Sequence, residues 1–270
     1  MTKGLPNSRL SAWSDAVTQQ PYDLLADVYD QEIHVRTAHE FGHLVEQRLL
    51  GALHGPLRIL DVGCGTGVLA SSLCGPGRRV AALDRSLGML RRAEARLNGS
   101  SRYAVLCADM TALPFAAAFD VVTACNEVVN QVPPAQLDRL VRQLGSVLRP
   151  GGWLAFDALT AEHFRRFWDR RRWEERNGLG LLWMECDWSE VRKEGSVSSV
   201  AIQNGPTGLR IRTVTFAEYQ HDRERIEECL AASGLAVIDR VAWNQYPEPQ
   251  PEGFIDRHLW ICQRVQGPFV

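Results

Sequence analysis

The glycine-rich segment 60–67, which reads LDVGCGTG, constrains the fold more than any other feature of the sequence. The apolar run 58–62 predicts a buried strand that enters it, and residues 68–73 predict a helix that follows it. A glycine-rich strand-to-helix turn lets a ligand approach the backbone closely and meet the N-terminus of the helix. The segment therefore predicts a ligand site at the edge of a sheet.

The spacing of the glycines narrows the kind of ligand. Val68 stands where the dinucleotide fingerprint G-x-G-x-x-G requires Gly or Ala, and the Lys-Ser/Thr pair of a P-loop is absent. The turn holds no basic residue to meet a pyrophosphate, whereas Asp61 directly precedes the glycines. A carboxylate at this place favours a ligand with a cationic end.

Strands and helices alternate through the first 160 residues. Further strands are predicted at 79–83, 104–108, 119–124 and 153–156, helices within 21–50 and at 86–97 and 134–148, and a turn at 149–152. The strands are nearly continuous in apolar residues, which indicates a parallel sheet covered by helices on both faces.

Residues 160–220 break this rhythm. An Arg-rich helix is predicted at 164–176, and strands at about 180–191, 195–203 and 208–217 predict an antiparallel meander. A helix at 222–233 and strands at 235–243 and 258–265 follow. The predicted fold class is α/β, a Rossmann-like seven-stranded mostly parallel sheet with helices on both faces, plus an inserted antiparallel β lid.

The domain organisation follows from these changes of pattern, and 270 residues suit one domain with an insertion. We predict an N-terminal tail at 1–20, a ligand-binding core at 21–160, a lid on the acceptor side at 161–220, and a C-terminal helix and β-hairpin at 221–270 that complete the core sheet.

Five motifs in order resemble those of the class I S-adenosylmethionine (SAM)-dependent methyltransferases, small-molecule type. DVGCGTG resembles the first motif, and the later ones are Asp84, Asp109-Met110, FDVV at 119–122 and LRPGG at 148–152. The resemblance covers about residues 20–160 clearly. It implies a SAM-dependent methyltransferase that uses SAM as cofactor and releases S-adenosyl-L-homocysteine.

The resemblance also implies which residues hold SAM. Asp61 would lie near the methionine amine, and Asp84 would accept from both ribose hydroxyls, for which a carboxylate has capacity. Tyr29, and after it Tyr22, belong to a segment resembling the family's entry helix Y-D-x-x-A-x-x-Y-D. The expected cofactor-binding residues are Tyr22, Tyr29, Asp61, Gly63, Cys64, Gly65, Gly67, Asp84, Arg85, Met89, Asp109, Met110 and Asn126.

Candidate catalytic residues follow the fourth predicted strand. The stretch 124–132, ACNEVVNQV, resembles D-S-x-N in small-molecule methyltransferases, so that Glu127 and Asn130 fall on the Asp and Asn places. Glu127 is a candidate for orienting or deprotonating the nucleophile; the alternative is a helix-starting carboxylate without a catalytic task. His221, next to the lid, is a second candidate base. Because no base is compelling, an amine or a weakly acidic oxygen is favoured as nucleophile.

Four tryptophans concentrate aromatic area near the lid. They either line an acceptor pocket or form a small core of the meander itself. The four are Trp168, Trp173, Trp183 and Trp188.

Charge and composition exclude several other classes of partner. The net charge is −2, from 30 basic against 32 acidic residues, so we expect no nucleic acid as partner. No apolar run reaches membrane-spanning length, and residues 1–14 lack the apolar stretch of a secretory signal. No C-x-x-C pair occurs, and His39 and His43 lack the H-E-x-x-H pattern, so no metal is expected. We expect a cytoplasmic protein with a small-molecule acceptor, forming a homodimer through the lid.

Methyl transfer to a nitrogen or oxygen atom of a natural product, sugar or other metabolite is the leading interpretation. One alternative is an enzyme of the same fold that binds SAM but catalyses cyclisation or elimination. A non-catalytic SAM-binding partner is a second alternative. A nicotinamide oxidoreductase is a third, against which Val68 counts.

Overall fold

A computed structural model describes residues 20–27, 29–30, 32–97, 102–168, 170–175, 181–205, 208–245 and 251–265. Most of the predicted tail therefore lies outside the described residues. In chain order the helices and strands are α1 (Pro21–Leu25), α2 (Glu32–Arg48), β1 (Leu57–Val62), α3 (Val68–Leu73), β2 (Arg78–Asp84), α4 (Leu87–Leu97), β3 (Tyr103–Cys107), β4 (Phe119–Ala124), α5 (Leu137–Ser146), β5 (Leu148–Leu159), α6 (Ala161–Phe167), β6 (Arg170–Glu175), β7 (Leu181–Ser189), β8 (Glu194–Gly205), β9 (Gly208–Tyr219), α7 (Arg223–Ala232), β10 (Leu235–Trp243) and β11 (Arg257–Arg264).

The main sheet has seven strands in the order β10-β11-β5-β4-β1-β2-β3. Strands β1 to β5 pair in parallel, whereas β11 is antiparallel to both β5 and β10. Successive side chains of a strand point to opposite faces. In β1, Ile59 packs with residues of α2, α3 and α4, while Leu60 packs with those of α5 and α7. The predicted mostly parallel sheet with two covered faces is confirmed.

The prediction that a turn at 149–152 precedes the fifth strand is wrong, because these residues lie within β5. Phe119 of β4 pairs with Leu148, and the register shifts before Val121 pairs with Trp153. Gly151, at φ 77°, helps the backbone to bulge there. The signal for a turn therefore marks an irregularity inside a strand.

The inserted lid is an antiparallel sheet in the order β6-β7-β8-β9. The three predicted strands of the meander are present, but the predicted helix at 164–176 is wrong. Helix α6 ends at Phe167, and Arg170–Glu175 forms a strand paired with β7. Arg is a good helix former, but helix propensity is a weak preference that tertiary pairing overrides.

An aromatic cluster packs the lid onto the core. Phe164 of α6 is buried, and its ring lies 5.1 Å from that of Trp168 and 4.6 Å from that of Trp188. The Trp168 ring lies so close to Gly195 that a Cβ there would come within 2.2 Å of it. Trp168 and Trp188 thus form a small core of the lid. The side chains of Trp173 and Trp183 lie outside the described residues.

No helix among the described residues is long and apolar enough to cross a membrane. Within the same residues, no cluster of three or more His, Cys, Asp or Glu side chains is arranged to hold a metal ion.

Candidate active site

A cleft opens at the carboxyl ends of β1, β2 and β4, where α/β sheets bind ligands. The volume of the cleft, including its solvent-open entrance, is about 860 Å³. It is lined by Tyr22, Tyr29, Asp30, His34, Ala38, Asp61, Gly63, Cys64, Gly65, Thr66, Val68, Leu69, Leu83, Asp84, Arg85, Met89, Ala108, Met110, Cys125, Asn126 and Gln131. The structure therefore brings together at this cleft the predicted cofactor-binding residues except Gly67 and Asp109.

The glycine turn shapes the floor of the cleft. Gly63 has φ 67°, and a Cβ there would come within 2.6 Å of Val128. Gly67, at φ 79°, begins α3, and its Cβ would meet Ala93 of α4 at 2.9 Å. The prediction that Gly67 contacts the cofactor is therefore corrected: its missing side chain lets α4 pack closely against the turn.

Two buried oxygen atoms at the cleft have no hydrogen-bond partner among the described residues. Asp61 is 1% exposed; its Oδ1 accepts from Thr123 Oγ1 at 2.6 Å, while its Oδ2 makes no hydrogen bond of normal geometry, although the backbone of Ala70 in α3 lies near this carboxyl. The Oδ1 of Asn126, whose φ is 70°, is likewise unpartnered. Unpaired buried acceptors are costly. They fit a ligand that brings donors, as the ammonium end of SAM does.

Asp84 joins the end of β2 to the glycine turn. Its Oδ2 accepts from Gly65 N at 2.9 Å and its Oδ1 accepts from Ser86 N at 2.8 Å. Burial raises the pKa of this carboxyl, which the two backbone donors partly offset. Met89 and Met110 add apolar surface to the lining. An acidic group beside apolar side chains suits a nucleoside, whose ribose donates hydroxyls and whose base is apolar on its faces.

Asp109 does not line the cleft. Its Oδ1 accepts from both the backbone N and the Oγ1 of Thr111, each at 2.7 Å, and the residue is exposed. The adenine contact through Asp109 remains a prediction. This carboxylate fixes the turn that presents the neighbouring Met110.

The N-terminal segment covers one side of the cleft. The ring of Tyr29 stacks on His34 at 4.7 Å, and Tyr22 meets Tyr29 edge-on at 6.0 Å. Asp30 accepts from Thr66 Oγ1 at 2.5 Å, which ties this segment to the glycine turn. Burial raises the pKa of both phenols, so they remain neutral donors at neutral pH.

Sequence reasoning missed several residues of the cleft. The signal for Asp30 was present, because it ends the same Y-D motif that pointed to Tyr29. Gln131 follows the D-S-x-N-like stretch; its Nε2 donates to Tyr22 Oη at 3.2 Å. His34 carried no signal, since a single histidine on a helix is usually part of a packed or solvated face.

Two of the predicted catalytic residues have structural roles. Asn130 is fully buried; its Nδ2 donates to Tyr219 O at 2.8 Å and its Oδ1 accepts from Leu159 N at 3.1 Å. His221 is 6% exposed, and its Nε2 donates to Val129 O at 3.2 Å. Burial lowers the pKa of His221 to about 4. Both catalytic predictions are corrected, because these side chains already bind backbone groups of β5, β9 and the turn after β4.

Glu127, the third candidate, directly follows the cleft-lining Asn126. Its backbone is left-handed, with φ 70°, and its side chain is 25% exposed. The Oε1 atom accepts from Arg257 at 2.8 Å. The guanidinium therefore fixes the direction of this carboxylate.

Arg257 is the centre of a buried ionic network that the sequence did not predict. The guanidinium is 0% exposed and donates to Glu127, Asp157 and Asp256. Burial alone would lower the pKa of Arg257, but the three carboxylates raise it, so the residue is a fixed cation. Burial raises the pKa of Asp157 to about 6 despite that cation. The sequence did carry a signal for Asp157, because this acid directly follows a predicted strand, as Asp84 does.

Comparison with known proteins agrees with this geometry. Residues 59–152 match a family model described as a methyltransferase domain. A malonyl-[acyl-carrier protein] O-methyltransferase of Legionella pneumophila is 32% identical over 143 residues, which cover 52% of this chain and 49% of that protein. A ubiquinone biosynthesis O-methyltransferase of Leptothrix cholodnii is 36% identical over 141 residues, covering 49% and 57%. The chain spans about half the length of these curated relatives.

Solved structures match over nearly the whole chain. A SAM-dependent methyltransferase from Clostridium acetobutylicum has a TM-score of 0.74 at 21% identity, covering 92% of this chain and 100% of that chain. The sugar N-methyltransferase KedS8 from a Streptoalloteichus species has a TM-score of 0.67 at 22% identity, covering 98% and 99%. The resemblance predicted from the motifs is thereby confirmed: residues 59–152 match a methyltransferase domain, and the chain has the fold of the class I SAM-dependent methyltransferases.

Proposed function

We propose that this protein transfers a methyl group from SAM to a nitrogen or oxygen atom of a small-molecule acceptor. The acceptor is a natural product, a sugar or another metabolite. The observation that carries the proposal is the pair of unpartnered buried oxygens, Asp61 Oδ2 and Asn126 Oδ1, beside a glycine turn at the cleft. Two such acceptors suit an amino acid ammonium, which a nicotinamide dinucleotide lacks.

Different residues of the cleft would bind different parts of the cofactor. Asp61 and Asn126 would hold the ammonium, and Asp84 would accept from the ribose. Met89 and Met110 would pack on the nucleoside. When bound, SAM supplies a methyl group on a positively charged sulfur. The protein contributes by aligning the acceptor and excluding water, and positioning alone supplies about 7–11 kcal/mol in favourable cases.

Turnover with SAM tests the proposal. The protein is incubated with SAM and a panel of amines, phenols, sugars and amino sugars, and S-adenosyl-L-homocysteine is measured with the mass of each product. Products heavier by one methyl group support the proposal. A product of unchanged methyl count, formed while SAM persists, indicates cyclisation or elimination instead. Absence of calorimetric heat with both SAM and S-adenosyl-L-homocysteine overturns the assignment of the cleft.

The homodimer through the lid remains a prediction. Leu209 and Ile211, near the β8–β9 turn, are 71% and 64% exposed, and apolar area of this kind suits a subunit contact. Light scattering should show a dimer that Ile211→Lys converts to a monomer. A wild-type monomer at all concentrations contradicts the prediction.

A further inference from the structure

Glu218, on lid strand β9, carries a buried acidic oxygen that has no part in the cofactor site or in the Arg257 network. The residue is 3% exposed, and its Oε2 has no hydrogen-bond partner among the described residues. A buried carboxyl without a partner is costly to keep. A residue retained in such a place points to a ligand that supplies the missing donor.

The register of β9 turns Glu218 towards the N-terminal wall of the cleft. Alternate residues of a strand share a face. Val214 packs with Leu25 of α1, and the ring of Phe216 lies 5.2 Å from that of Tyr22. Glu218 is next on this face, opposite Gly195, over which the Trp168 ring lies.

Tyr22 connects Glu218 with the cleft. The Tyr22 side chain lines the cleft, and its hydroxyl accepts from Gln131. After burial, the charge of Glu218 is the largest cause that raises the pKa of Tyr22. Glu218 is not itself among the residues that line the cleft, but it follows Phe216 on the face of β9 that contacts Tyr22, so its carboxyl lies on the lid side of the cleft close to Tyr22.

The charges around Glu218 favour a cationic partner. Glu127 and Asp157 are the acids that act on it, and Arg257 is the base. Each nitrogen of that guanidinium already donates to Asp256, Asp157 or Glu127. Burial first, and then repulsion by Glu127, raises the pKa of Glu218. A second cation beside Glu218 would reduce the electrostatic repulsion among these carboxylates.

We propose that Glu218 is a catalytic residue that binds the acceptor as an amine and takes a proton from its nitrogen. The proposal rests on the function proposed above and names its substrate class. Amines with an apolar or aromatic body fit best, because the rings of Tyr22, Phe216 and Trp168 pack on this face of the lid.

The reaction balances with the groups present. The bound ammonium gives one proton to the Glu218 carboxylate, which frees the nitrogen lone pair. That pair forms the N–CH₃ bond, while the S–CH₃ bond breaks and its electrons stay on sulfur. The products are a methylated ammonium and a neutral thioether, and the proton on Glu218 passes to solvent.

Binding measurements on the complex with S-adenosyl-L-homocysteine test the proposal. The probes are phenethylamine and benzylamine, each paired with its alcohol, and the variant is Glu218→Gln. The matched control is Glu194→Gln, on the opposite face of the adjacent strand. We expect Glu218→Gln to weaken amine binding about 10- to 100-fold, the usual effect of losing a charged hydrogen bond, and to leave alcohol binding unchanged.

An infrared readout separates catalysis from structure. In wild type, amine binding should remove the band of a protonated carboxyl, and Glu218→Gln should lack this change. If Glu218→Gln does not fold, Glu218→Met replaces it, with the same expected loss of amine binding. Equal amine affinity in wild type and variant, or no amine binding by wild type, overturns the proposal. Failure of wild type to bind S-adenosyl-L-homocysteine instead overturns the proposed function.

Discussion

At the scale of single residues, Asp61 links the chemistry of the cleft to pH. Burial raises its pKa to about 7, so the ligand-free protein holds a proton there below that pH. An ammonium partner favours the carboxylate. We therefore expect SAM affinity to rise as pH increases from about 5.5 to about 7.5, with proton release on binding. Calorimetry in two buffers of different ionisation enthalpy measures both. Asp61→Asn should lose the pH dependence and about 1–3 kcal/mol of binding, whereas Asp138→Asn, at an exposed acid of α5 away from the cleft, should keep both.

The raised pKa of Asp61 makes the folded protein less stable as pH increases, whereas the same increase in pH strengthens SAM binding. Between about pH 4 and about pH 7 the folded protein holds a proton on Asp61 that the unfolded chain has released. The stability that this proton contributes is lost as pH rises through about 7. Asp61→Asn stays neutral throughout, so its melting temperature should exceed that of wild type at about pH 8 and approach it near pH 4. A variant that melts below wild type at the higher pH would refute this account.

Asp84 has two roles, in the glycine turn and in the cleft, which are tested by two substitutions. Its carboxylate accepts from Gly65 N and Ser86 N, and it lines the cleft. We expect Asp84→Ala to weaken SAM binding by about 1–3 kcal/mol through lost hydrogen bonds. Asp84→Asn keeps one acceptor oxygen and should lose less. Calorimetry gives the affinities, and unchanged binding by the alanine variant refutes the ribose contact.

Most of the lining of the cleft could be predicted because its residues follow strand ends in the chain. Asp61, Asp84 and Met110 each carry that signal. Gly67 was assigned to the cofactor because a motif cannot tell a ligand contact from the packing that shapes a turn. Glu218 and Arg257 lie more than 50 residues beyond the matched domain, and only the folded lid and hairpin bring them to the site.

At the scale of elements, the turn between β1 and α3 depends on close packing against α4. Gly67 and Gly55 have similar backbone angles, with φ 79° and 87°, but only Gly67 has neighbours where a Cβ would be. Gly55→Ala therefore measures the backbone cost alone, and Gly67→Ala adds the clash with Ala93. We expect Gly67→Ala to lose about 1–3 kcal/mol more stability than Gly55→Ala in urea unfolding. Equal losses would show that the helix adjusts without cost.

Hydrophobic pattern predicted the core elements well and the start of the lid poorly, for a physical reason. The core strands are covered on both faces, so their apolar runs are continuous, as in β1 and β4. The segment 170–175, RRRWEE, has no such run and contains good helix formers. Its strand state comes from pairing with β7, a contact across the insertion that no local pattern records.

At the scale of the whole molecule, the Arg257 network joins parts that the chain keeps far apart. Arg257 of β11 donates to Asp157 of β5 and to Glu127 after β4, while its neighbour Asp256 pairs with His163 of α6. The Arg257 guanidinium and its carboxylates therefore connect the core sheet, the C-terminal hairpin and the start of the lid.

Removing that cation should destabilise the protein far more than removing an exposed one. Arg257→Met leaves buried carboxylates unpaired, which costs about 3–5 kcal/mol. Arg92→Met breaks only a surface pair with Asp27, whose side chains are 49% and 46% exposed, and should cost less than about 1 kcal/mol. Because Asp157, with a pKa of about 6, takes up a proton in acid, the loss in Arg257→Met should be smaller at about pH 5 than at about pH 8. Urea unfolding at both pH values measures the difference. A loss independent of pH would mean that Arg257 stabilises the three regions by packing, not by charge.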